Sequence, residues 1–268
     1  MTAVSRLAAV PWSPPLLRRA TTLLLVVVLG VAAAACSGGA RPELATDREV
    51  TTTTGVTTTT AAAAPPAEVA QAHGSSIDVF ADATAETPVQ KITAADATSA
   101  PGIPIVFLVK SKSSDRLEVY LPVRPNGSSG WVRTTDVTVS TVDYRIEVAL
   151  AEHRIRVYER NEVIVDEPVG VGTTDRPTPG GVYYLKELLK PPKPNGPYGP
   201  YAYGLSGFST VLTSFNGGAG VIGIHGTNDP ASIGLDVSSG CIRLNNDVIS
   251  RLVDDIGLPL GTPVEILD

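Results

Sequence analysis

Cysteine, histidine and positive charge are all scarce in this chain. It has two cysteines and three histidines, and 21 basic side chains stand against 27 acidic ones. So few histidines, with His73 and His153 in linker or turn sequence, give little support to a zinc peptidase. No metal and no other cofactor is expected. The shortage of lysine and arginine argues against nucleic acid as a partner, since phosphate binding needs a basic face. Long apolar runs are also missing. The one unbroken small or apolar stretch, Ala20 to Ala35, is shorter than the ~20 residues a spanning helix requires.

That stretch follows Arg6, Arg18 and Arg19 and ends at Cys36, a pattern that predicts a signal peptide over residues 1–35. The AAAAC ending is similar to a bacterial lipobox, with Ala33 where leucine is usual, so Cys36 is the expected lipidation site. An uncleaved anchor or ordinary secretion is the alternative. Without residues 1–35 the chain keeps 18 basic and 27 acidic side chains, a net charge of −9. Residues 36–74 contain TTTTGVTTTT and AAAAPP, too small and polar to offset the entropy of ordering, so they read as a disordered Thr/Ala/Pro linker. The protein is then exported and held at the cell membrane by a lipid, facing the cell wall or periplasm.

If Cys36 carries a lipid, Cys241 is a single unpaired thiol in an exported protein, which points to reactivity. A Cys36–Cys241 disulfide would have to reach across the linker. A free thiol is mostly protonated below about pH 8.5, so a nucleophilic one needs a base. His225 lies upstream in HGTNDPASIGLDVSSGCIRLNND, and Gly226 and Gly240 allow the chain to turn back tightly. Arg243 adds a cation that can hold a carboxylate or favour a thiolate. The candidate roles are Cys241 as nucleophile and His225 as general base and acid. The backbone N–H groups of Gly240 and Cys241 are the expected oxyanion donors. Arg243, Ser239 and Tyr203 are candidate substrate contacts, Tyr203 being one of the aromatics in PPKPNGPYGPYAYGLSGFS. Such a set fits acyl transfer through a thioester.

The anchors His225, Gly226, Thr227, Gly234, Ser238, Gly240, Cys241, Ile242 and Arg243 resemble the signature of the L,D-transpeptidase catalytic domain of the YkuD type. The likeness extends more loosely from about Tyr144 to the C-terminus, and Ser239 stands where many members have a second histidine. The resemblance implies a cysteine acyltransferase that cross-links peptidoglycan stem peptides, with carbapenem-type β-lactams as covalent inhibitors. It also implies that the Gly226 carbonyl orients His225. The rival readings are an L,D-carboxypeptidase or other cysteine hydrolase of the wall, and a non-catalytic wall-binding lipoprotein. In NlpC/P60-type hydrolases the cysteine precedes the histidine, the reverse of the order here.

The fold expected is mainly β. IDVF, IPIVFLVK, LEVYLPV and GWVRTTDVTV are short strands between turn clusters, and PNGSSGWVRTTDV resembles bacterial SH3-like domains, giving a small barrel over residues 75–141. The catalytic domain, residues 142–268, opens with a β-meander (RIEVAL, RIRVYE, EVIVDEPVGVG). It closes with one helix, on which Val248, Ile249, Leu252, Val253 and Ile256 share a face.

Overall fold

The computed structural model describes residues 8–9, 65–215 and 217–268. The expectations for Cys36, for all of the leader but residues 8–9 and for most of the linker lie outside the described residues. A two-residue strand, β1 (Ala8–Ala9), pairs with Leu189 and Lys190.

The N-terminal part comprises β2 (Ala67–Ala72), β3 (Ser76–Val79), β4 (Gln90–Thr93), the one-turn helix α1 (Ala94–Ala97), β5 (Val106–Lys112), β6 (Arg116–Tyr120), β7 (Ser129–Arg133) and β8 (Val137–Val142). Its main sheet runs β7-β6-β5-β2-β8, and β3 pairs with β4. β2 corrects the linker boundary: residues 67–72 are not a tether but a central strand, paired on both edges. Ala70 and Ala72 on one face enter the core of this part, and on the other face Val69 packs into a second cluster while Gln71 is exposed.

The C-terminal part comprises β9 (Tyr144–Ala149), β10 (Arg154–Glu159), β11 (Glu162–Pro168), β12 (Val171–Gly172), β13 (Gly181–Lys190), β14 (Ala202–Phe208), β15 (Val221–His225), β16 (Asp236–Ser238), β17 (Ile242–Arg243), α2 (Asn246–Ser250) and β18 (Pro263–Leu267). The meander appears as neighbouring β11, β10 and β9, and the sheet continues β18-β13-β14-β15-β17. The helix is wound as one α turn followed by a π turn over Arg251–Asp255, and Val248, Ile249 and Leu252 sit in the core beneath it. Among the described residues the architecture is mainly β with a single C-terminal helical segment of any length.

Each part has an apolar core of its own, and they meet over shared contacts. Val69, Val106, Leu108 and Val142 pack with Tyr184. Beside them lies a buried ion pair, Lys186 Nζ to Glu187 Oε1 at 3.2 Å. The lysine donates to the Ala97 carbonyl at 2.7 Å, and the carboxylate accepts from Ser99 N–H at 2.6 Å and Ser99 Oγ–H at 2.8 Å. Burial lowers the Lys186 pKa, and the adjacent carboxylate opposes that shift. Glu187→Ala leaves a buried cation and an unpartnered amide, so a loss of about 3–5 kcal/mol in urea denaturation is expected. A loss under about 1 kcal/mol would mean that water replaces the carboxylate.

Candidate active site

β15 and β17 run parallel, with Ile224 opposite Ile242 and His225 opposite Arg243. Side chains alternate along a strand. Ile224, Ile242 and Leu244 therefore enter the core, and His225, Cys241 and Arg243 line a cleft of about 180 Å³ on the other side. Two residues before His225, Gly223 contributes no side chain there, and its backbone favours the Cys241 thiolate.

Local bonds hold each group. His225 Nδ1 lies 2.5 Å from the Gly226 carbonyl oxygen. A carbonyl only accepts, so Nδ1 carries the proton and Nε2 is left as the basic atom. Gly226 tolerates no side chain, because a Cβ would sit 2.3 Å from Asn246 Oδ1. That amide oxygen instead accepts the Thr227 N–H at 2.9 Å. Asn246 thus ties the start of α2 to the histidine loop, and Asn245, at the N-cap position, makes no side-chain cap.

The turn before Cys241 is pinned by Ser238, whose hydroxyl donates to the Cys241 carbonyl at 2.6 Å and accepts the Gly240 N–H at 3.1 Å. This changes the expected oxyanion arrangement. The Gly240 N–H is already engaged by Ser238, which leaves the Cys241 N–H as the amide without an acceptor among the described residues. Ser239 Oγ accepts from Arg176 Nη1 at 2.9 Å, so the RPTPGG loop buttresses the turn.

A family model described as the YkuD L,D-transpeptidase catalytic domain matches residues 143–266. The YkuD protein of Bacillus licheniformis, a candidate L,D-transpeptidase, is 37% identical over 126 residues, which make up 47% of this chain and 67% of that protein. This chain belongs to the YkuD-type L,D-transpeptidase family. The ErfK/SrfK protein of Salmonella typhimurium is 32% identical over 174 residues, covering 57% of this chain and 52% of its own. Among solved structures, Bd1075 of Bdellovibrio bacteriovorus is 32% identical with a TM-score of 0.36, covering 47% of this chain and 48% of that one. The chain thus spans about half the length of these last two relatives.

In this L,D-transpeptidase family member His225 and Cys241 are both uncharged at neutral pH. Burial, helped by the Arg243 charge, lowers the His225 pKa to about 4 against the hold of the Gly226 carbonyl. Burial raises the Cys241 thiol, and Gly223 and Arg243 only partly offset that. The resting pair is a thiol and a neutral imidazole. Among the described residues the Arg243 guanidinium has no ion pair, which leaves a positive charge facing the cleft.

Tyr203 is a correction. It is 1% exposed, its hydroxyl donates to the Leu258 carbonyl at 3.2 Å, and its ring belongs to the core. The aromatics lining the cleft are Tyr198 and Phe215, and the Tyr198 ring meets that of His225 edge-on at 5.0 Å between centroids. Tyr198 is one of the aromatics of PPKPNGPYGPYAYGLSGFS that could line a cleft, together with Tyr201, Tyr203 and Phe208. Arg176 was missed, its only signal being the base that opens RPTPGG. His153, in a turn, pairs with Asp236 at 2.8 Å, outside the cleft lining.

Proposed function

We propose that this protein is a peptidoglycan L,D-transpeptidase that works through a Cys241 thioester. The observation that supports this most is the pairing of β15 and β17, which sets the His225 and Cys241 side chains into one cleft with Nδ1 fixed on the Gly226 carbonyl. His225 Nε2 takes the thiol proton as sulfur attacks the carbonyl of the L-centred third residue of a donor stem. The Cys241 N–H donates to the oxyanion. The imidazolium then protonates the departing D-alanine amine, the C–N bond breaks and the thioester forms. An amine from a second stem gives its proton to His225, attacks the thioester and releases the sulfur, which recovers that proton. Arg243 supplies a partner for a stem carboxylate.

The neutral resting pair favours proton transfer in step with attack over a stored thiolate. The lipobox-like AAAAC supports a location on the outer face of the membrane, with Cys36 as the tether and the SH3-like unit as a spacer below the wall. Incubation with a purified disaccharide-tetrapeptide, followed by mass spectrometry, tests the reaction. Cross-linked dimer with loss of one D-alanine is the expected product. Tripeptide alone would make the protein a carboxypeptidase, and unchanged substrate would remove the catalytic reading.

A further inference from the structure

We propose that Arg124, in the N-terminal β unit, is a positioning residue that holds the 209–220 wall of the cleft and thereby sets affinity for the stem peptide. The inference rests on the function proposed for that cleft.

The segment leaves the end of β14 and returns at the start of β15, and Ser209, Leu212, Phe215 and Gly220 from it line the cleft with Cys241 and His225. Among the described residues its own ties are the Ser209 N–H to the Gly220 carbonyl at 2.8 Å, the Ser209 hydroxyl accepting the Val211 and Leu212 N–H groups, and a Phe215–Gly218 pair. Val211 is 53% exposed, and Phe215, which lines the cleft, is 43% exposed. Such a loop has little burial to hold it.

Arg124 grips both of its ends. Nη1 donates to the Ser209 carbonyl at 2.7 Å, while Nη2 donates to the Leu212 carbonyl at 3.0 Å and to the Ala219 carbonyl at 3.1 Å. The guanidinium also lies over the Phe208 ring, 4.9 Å from its centroid. Nearby, Asn126 mimics a strand neighbour: its Oδ1 accepts the Phe208 N–H at 2.9 Å and its Nδ2 donates to the Phe208 carbonyl at 2.8 Å. Gly220 makes the fit possible. It has φ +68°, and a Cβ there would lie 2.4 Å from the Leu212 carbonyl oxygen and 3.3 Å from Arg124 Nη2.

Three carbonyls on one planar cation need two nitrogens in a fixed fork, which lysine lacks. Without the fork those carbonyls turn to water, and the wall samples positions in which the cleft is wider. None of these atoms touches the reacting groups, so the effect falls on binding and spares the chemical step. The N-terminal unit therefore acts on the reaction as well as spacing it from the membrane.

The test uses the full chain carrying Arg124→Ala, with Arg124→Lys as the variant that keeps charge and stem. Hydrogen exchange of peptides covering 209–220 is measured beside KM and kcat on the disaccharide-tetrapeptide. The expected result is faster exchange confined to that segment and a KM raised about tenfold, the ratio one charge-assisted hydrogen bond supports. The kcat should stay within about twofold, with Arg124→Lys intermediate. A fall in kcat at unchanged KM, tracking the folded fraction, would make Arg124 merely structural and overturn the proposal. So would unchanged exchange at 209–220 in whichever variant folds. If the unaltered protein turns over no muropeptide, the function proposed for the cleft fails, and the exchange experiment still decides whether Arg124 holds the wall.

Discussion

Cys241→Ala is expected to abolish cross-linking and carbapenem capture together, with the fold left in place. Cys241 is the thiol that shares the cleft with His225, whose Nε2 is left basic, so turnover should fall by about 10⁴-fold or more. The side chain is only partly buried, and trimming one sulfur at the cleft floor should cost about 1 kcal/mol or less. The β-lactam arm is the sharper one. A strained cyclic amide opened by the sulfur keeps its amine tethered to the acyl group, so nothing leaves and the adduct accumulates. Intact mass should rise by one carbapenem per chain in the unaltered protein, map to the peptide containing Cys241, and vanish in the variant. An adduct that persists in Cys241→Ala would place the nucleophile elsewhere. A wild-type chain that stays unmodified after long incubation would sink the thioester mechanism.

His225→Ala should slow acylation by about 10²–10⁴-fold at neutral pH, the usual contribution of a positioned base. The pH profile of the unaltered enzyme carries more information. Because the imidazole works only when neutral and its folded pKa is about 4, the acylation rate should stay level from pH 7 to about pH 5 and fall below that. A midpoint near 6.5 would mean that burial does not hold the ring neutral. The same shift acts on stability. Between pH 6.5 and 4 the unfolded chain binds a proton at this histidine that the folded chain refuses. Stability is therefore full above about 6.5 and drops by about 3 kcal/mol as pH falls through that window. His225→Ala should flatten that part of the curve, as followed by urea melts at each pH.

The alternating strands and the His225–Cys241–Arg243 set were legible because period-two patterning and reactive residue types are local properties. β2 escaped notice because AEVAQA carries only one branched side chain and follows a Thr/Ala-rich stretch. It is a strand because β5 and β8 flank it, a fact of tertiary pairing. Tyr203 and Tyr198 could not be ranked from the chain, since the register of β14 turns Tyr203 into the core and Tyr198 reaches the cleft from the loop before that strand. Arg176 and Arg124 act through contacts far apart in sequence, and no spacing rule points to either. The bond from the Gly240 amide to Ser238 is local, yet it depends on a turn whose glycine takes φ +112°.

The parallel pairing of β15 with β17 bears on how the family's signature should be written. Two parallel neighbours cannot be closed by a tight hairpin, so a crossover must join them. The stretch from Gly226 to Cys241 is that crossover, and Asn228, Asp229, Pro230, Ala231, Leu235 and Asp236 along it are exposed. The separation between histidine and cysteine in the sequence is thus set by topology and carries no chemical demand. A search pattern for distant relatives should let the length vary between Asn228 and Leu235. It should hold the blocks Gly223–Thr227 and Ser238–Arg243 rigid, because there a single insertion would turn one of the reacting side chains to the wrong face of the sheet.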